Sequence, residues 1–140
     1  MEIRLDNGWA HRGWLFDPRI RDLFWEFDTT NRHMVPPVDV IEDQTAYHFY
    51  FEMPGLKKES LDARVEDGRL LVSAERKRPE WPQRQPEVHI AERGYGMIRR
   101  AFELPKDASH DKVGANYQDG VLEVTVAKRP ESKPAKILIN

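Results

Sequence analysis

Val113-Gly114-Ala115-Asn116-Tyr117-Gln118-Asp119-Gly120-Val121-Leu122-Glu123-Val124-Thr125-Val126 is the stretch that decides the fold. Val113, Ala115 and Tyr117 alternate with polar or small residues, and Leu122, Val124 and Val126 resume the same period of two beyond Asp119-Gly120. Such alternation buries one face of a strand, and Asp-Gly supplies the tight turn that joins two antiparallel strands. Working upstream, Met97 to Leu104 reads as a strand stopped by Pro105. A second Asp-Gly pair, Asp67-Gly68, separates Leu61, Ala63 and Val65 from Leu70, Val72 and Ala74, giving another hairpin. Tyr47, Phe49 and Phe51 alternate with His48 and Tyr50 up to Met53-Pro54-Gly55, and Val38 to Ile41 opens a short strand after Pro36-Pro37. Seven or so short strands separated by turn signals predict an all-β, immunoglobulin-like β-sandwich.

Three compositional segments organise the chain. Residues 1–34 form a hydrophobic N-terminal region in which Trp9, Trp14, Phe16, Phe24, Trp25 and Phe27 sit among charged residues. Asp17-Pro18 reads as a helix start, after which Phe16, Ile20, Leu23, Phe24 and Phe27 share one helical face. Residues 35–128 carry the sandwich. Within it, the run RKRPEWPQRQPEVHIA over 76–91 is rich in proline, which cannot donate to a sheet ladder, and reads as a projecting loop. Residues 129–140 are a polar, proline-containing extension that nevertheless carries Ile137-Leu138-Ile139. Three adjacent aliphatics in a polar tail call for a partner surface.

Composition excludes several classes of function. The formal charge of -2, with 22 basic against 24 acidic residues, argues against nucleic-acid binding, which needs a gathered basic excess. No apolar run approaches the roughly 20 residues of a membrane span. The start MEIRLDNGWAHRGW lacks the basic and apolar regions of a secretory signal, so a soluble, cytoplasmic protein is expected, and the absence of cysteine agrees with that. His11, His33, His48, His89 and His110 have no metal-ligand spacing, and Gly94-Tyr95-Gly96 lacks the rest of a phosphate loop. With no cysteine nucleophile and no Gly-x-Ser-x-Gly elbow, neither a catalytic residue nor a cofactor or metal is expected.

These pieces, in their order and spacing, resemble the α-crystallin domain of the small heat-shock protein family in its bacterial form. Ala115 to Leu122 is similar to the family's signature A-x-x-x-x-G-V-L. Met53-Pro54-Gly55-Leu56-Lys57-Lys58-Glu59 resembles the turn after its third strand, and Glu92 to Gly96, Arg100-Ala101-Phe102 and Leu104-Pro105 resemble its sixth and seventh strands. Ile137-Leu138-Ile139 is similar to its C-terminal I-x-I anchor. Ile98 departs from the phenylalanine usual there and should alter packing more than function.

The resemblance implies an ATP-independent holdase chaperone of the stress response, a homo-oligomer built from dimers that binds non-native client proteins and hands them to ATP-driven chaperones. It implies that Trp14, Phe16, Ile20, Leu23, Phe24, Trp25 and Phe27 bind clients, and that Ile137 and Ile139 anchor the oligomer. The anchor-receiving groove would be lined by Leu61, Ala63, Val65, Val113, Ala115 and Tyr117. The loop around His89 to Tyr95 would reach a partner's Val38–Ile41 strand, placing Val38, Val40, His89, Glu92, Arg93, Tyr95 and Arg100 at the dimer interface. Two alternatives differ testably. A co-chaperone adaptor with a related sandwich, docking on an ATP-driven chaperone, would be monomeric and would not need Ile137-Leu138-Ile139. A β-sandwich hydrolase would need a convergent set of titratable groups in a pocket.

Overall fold

The computed structural model describes residues 33–81, 86–130 and 137–139. Seven strands follow one another: β1 (Val38–Glu42), β2 (Ala46–Glu52), β3 (Leu61–Glu66), β4 (Arg69–Arg76), β5 (Gly96–Glu103), β6 (Ala108–Gln118) and β7 (Val121–Lys128). They form two antiparallel sheets, one in the order β1-β2-β7-β6 and the other β3-β4-β5. This is the all-β sandwich that the alternation predicts.

The core follows from register. Phe49 lies opposite Val124 and Phe51 opposite Leu122 across β2 and β7, and all four are buried. Leu70, Val72 and Ala74 of β4 supply the facing layer with Ile98 and Phe102 of β5. The Phe102 ring packs at 5.3 Å and 6.0 Å from those of Phe49 and Phe51, in tilted contacts favoured by the ring quadrupoles. Ile98 is fully packed in this layer, so the departure from phenylalanine is filled by aliphatic packing.

Both Asp-Gly turns adopt left-handed backbone at both residues, with φ of 49° and 74° at Asp67-Gly68 and 54° and 78° at Asp119-Gly120. That geometry matches the twist of the flanking strands, which is why these dipeptides fix the hairpin registers.

Two expectations are adjusted. β6 begins at Ala108, well before Val113, with an irregularity in its pairing to β7 between them. Ser109-His110-Asp111-Lys112 has no apolar alternation because its side chains are largely solvent-facing, so its strand character leaves no sequence signal. Conversely, Glu92 to Tyr95, which resembles part of a strand pair, is in no strand here. The helix starting at Asp17 and the client-binding aromatics lie outside the described residues.

Candidate functional site

The two sides of the sandwich differ. On one side the sheets are tied together. Met34 N donates to Met97 O at 2.8 Å and Arg99 N to Met34 O at 3.0 Å, so the chain runs along β5 before entering β1. Arg100 Nη1 donates to Pro36 O at 2.7 Å across the same seam, and burial draws the Arg100 guanidinium below its usual pKa. Main chain and a charged side chain close this side.

The other side is bounded by two edge strands. β3 and β6 are the edge strands of their respective sheets. Leu61, Ala63 and Val65 stand opposite the buried Ala74, Val72 and Leu70, so they lie on the inner face of the small sheet. Val113, Ala115 and Tyr117 stand opposite the buried Val126, Val124 and Leu122, so they lie on the inner face of the large one. The two rows run past each other in opposite directions. At one end Tyr117 Oη donates to Met53 O at 2.7 Å and approaches Leu56 O at 3.4 Å, just before β3. At the other end Gly68, just after β3, lies beside the His110 ring near the start of β6.

Both rows are apolar and partly exposed. Leu61, Val65 and Tyr117 pack partly against the core, Val113 is 37% exposed, and the small Ala63 and Ala115 between them are exposed. Small residues at the centre of a groove with larger ones at its ends leave room for an inserted side chain. The six residues expected to receive the anchor thus lie on the inner faces of the two edge strands, three on β3 and three on β6.

Ile137, Leu138 and Ile139 are 84%, 81% and 95% exposed, so their apolar surface is unburied in the single chain. Exposure on this scale for three consecutive aliphatics is a demand for a partner. Residues i and i+2 of an extended chain point to one side, so Ile137 and Ile139 can enter the same groove.

The residues expected at a dimer interface divide into groups. Val38 and Val40 pair with Phe51 and Phe49 and pack against the core, so their side chains are spoken for. Among the described strands β1 pairs with β2 alone, so it is an edge strand of the large sheet. His89, Glu92 and Arg93 are exposed, as are the nearby Val88 and Ile90 at 66% and 79%. Tyr95 is half-buried beneath Arg93 and Arg78. Arg100 acts within the chain, holding Pro36, and so positions the start of β1.

One residue escaped prediction. Arg76 follows Leu70, Val72 and Ala74 on the inward alternation of β4, yet it is charged. Its Nη2 donates to Pro54 O at 2.6 Å and its Nη1 approaches Gly94 O at 3.4 Å, fastening the Met53-Pro54-Gly55 turn to the loop before β5. The period of two, continued one step further, would have placed it there. Among the described residues no group of histidine and acidic side chains is arranged to hold a metal ion.

Comparison with known proteins places this geometry. The model of the Hsp20/alpha crystallin family matches residues 39–140. A 16.9 kDa class I heat shock protein of Oryza sativa subsp. japonica is 34% identical over 138 residues, covering 89% of this chain and 92% of the relative. Small heat shock protein C4 of Rickettsia felis is 30% identical over 110 residues, 79% of this chain and 67% of the relative. A 17.6 kDa class II heat shock protein of Arabidopsis thaliana is 43% identical over 101 residues, and there the chain spans only 65% of the relative's length. In three dimensions, a small heat-shock protein from Xylella fastidiosa superposes with a TM-score of 0.69 at 29% identity, over 78% of this chain and 99% of that one.

Proposed function

This chain belongs to the Hsp20/alpha crystallin family, a family of chaperones, and we propose that it acts as an ATP-independent holdase that binds partially unfolded proteins and suppresses their aggregation under stress. The observation that supports this most directly is the coexistence, among the described residues, of partly exposed apolar rows on the edge strands β3 and β6 and an exposed Ile137-Leu138-Ile139 on the same chain. A segment in one copy that fits a groove in another generates an assembly.

Burying each isoleucine contributes roughly 1.5–3 kcal/mol before ordering costs, weak singly and strong when many links act together. Links of that strength break and re-form, so apolar surface stored at interfaces can be released to clients. In this reading the outer backbone edge of β1 receives the loop around His89 to Tyr95 from a partner, and dimers so formed are joined by the Ile137 and Ile139 anchors. Trp14, Phe16, Ile20, Leu23, Phe24, Trp25 and Phe27 hold the client, aromatics supplying contact area without demanding one partner shape. The site of action is the cytoplasm, with held clients passed to ATP-driven chaperones.

Size-exclusion chromatography after heating a labile client with the full chain, without nucleotide, tests the binding step. The client should elute in a soluble complex with the chain. A client that pellets alone, leaving the chain at its own elution position, contradicts the proposal.

A further inference from the structure

Three guanidinium groups gather where β4 ends. Arg76 plugs the end of the sandwich, and its Nε is buried with no hydrogen-bond acceptor. Arg93 Nη1 donates to Tyr95 Oη at 3.1 Å. The guanidinium carbons of Arg78 and Arg93 lie 4.8 Å and 5.4 Å from the centroid of the Tyr95 ring. Gly55, in the left-handed region with φ of 73°, is the meeting point: a Cβ there would lie 3.7 Å from Arg93 Nη2 and 3.9 Å from Arg76 Nε. A cleft of about 550 Å³ opens beside Gly55, lined by Lys57, Arg76 and Lys77 together with Glu59 and Glu75, so that basic side chains outnumber acidic ones. Among the described residues, Arg76, Arg78 and Arg93 are in no ion pair.

Like charges drawn together need a counter-charge, and a buried guanidinium N–H needs an acceptor that solvent does not supply. We propose that this cluster is a binding site for a phosphate dianion, free or as a phosphate monoester, seated over Gly55 between Arg76 and Arg93. The planar donor fork of arginine matches the oxygens of a tetrahedral oxyanion, and more than one arginine favours two negative charges over one. Glycine at position 55 leaves the approach open. A phosphate here joins three separate pieces of chain: the Pro54-Gly55 turn, the end of β4 and the loop at 93–95. Binding therefore stabilises the fold by mass action.

The test is thermal unfolding of the full chain titrated with inorganic phosphate, with phosphoserine in a second arm, and with sodium chloride at matched ionic strength as control. Tm should rise saturably with phosphate and stay flat with chloride. Arg93→Gln should weaken the apparent affinity about tenfold or more, the loss of a charge-assisted contact. Arg93→Lys keeps the charge without the fork and should be intermediate. Arg64→Gln, on the exposed face of β3 away from the cleft, should titrate like the parent. A response in both arms assigns the phosphoryl group as the ligand, and a response to inorganic phosphate alone assigns the free ion. Equal responses to phosphate and chloride, or an Arg93→Gln variant that titrates like the parent, would overturn the site.

Discussion

At the scale of single residues, two positions carry more of the fold than their exposure suggests. Asp43, in the turn between β1 and β2, accepts hydrogen bonds at Oδ1 from Thr45 N, Ala46 N and Thr45 Oγ1 at 2.7, 2.8 and 3.0 Å, and its Oδ2 lies 2.8 Å from His48 Nε2. These contacts, the Thr45 amide first among them, hold its carboxyl far below the ordinary value of 3.8. A depressed carboxyl pKa contributes stability that is complete above the unfolded value and is lost as the pH falls below it. The gap in Tm between the parent and Asp43→Asn should therefore be constant near neutral pH and shrink as pH drops below about 4. A gap independent of pH would show that the charge is not what holds the turn. Gly120 is the second position. Its φ is 78°, and a Cβ would lie 3.1 Å from the Pro54 Cα, so a side chain meets main chain that cannot rotate away. Gly120→Ala should cost about 1–2 kcal/mol, read as a lowered denaturation midpoint. The Asp119-Gly120 pair made this position readable in the sequence as a turn. The approach of Pro54 was not, because it joins residues far apart in the chain.

At the scale of elements, the edge strands β3 and β6 carry the proposed anchor site. β3 and β6 were legible as strands because Leu61, Ala63, Val65 and Val113, Ala115, Tyr117 alternate, but alternation marks an inward face without saying whether anything covers it. That no described strand pairs beyond these rows follows from sheet order, since both strands are edges and the chain at Met34 to Pro36 runs along β5. The same limit applied to β1. Its side chains at Val38 and Val40 serve the core, and only the pairing pattern shows that among the described strands its backbone pairs on one side alone. The prediction at this scale concerns the anchor. Replacing Ile137 and Ile139 together with Ala removes most of the apolar area available to the proposed groove and should shrink the assembly towards dimers, measured as mass by light scattering coupled to size exclusion. An unchanged mass would mean that the tail does not join subunits.

At the scale of the whole molecule, the proposed function divides the work between the sandwich, as scaffold, and the two tails, as the means of assembly. Met34 pairs with β5, so the sandwich proper begins no later than Met34, and removing residues 1–32 leaves all seven strands and this pairing in the chain. The truncated chain should keep the circular dichroism of a sheet protein while losing most large assembly and most protection of clients. Protection as good as that of the full chain would move the holding surface to the groove lined by Leu61, Val65 and Val113. The proposed N-terminal contribution is legible only by character: Trp14, Phe16, Phe24, Trp25 and Phe27 are interleaved in sequence with Asp17, Arg19, Arg21, Asp22 and Glu26, a mixture of adhesive and charged residues with no motif that names a partner. The most direct measurement of the central claim is turbidity of a heat-labile client warmed with the full chain and no ATP. Light scattering should fall progressively as the chain approaches stoichiometric amounts, with the client still in solution. Scattering that climbs as steeply as for the client alone, at every ratio, would contradict a holdase.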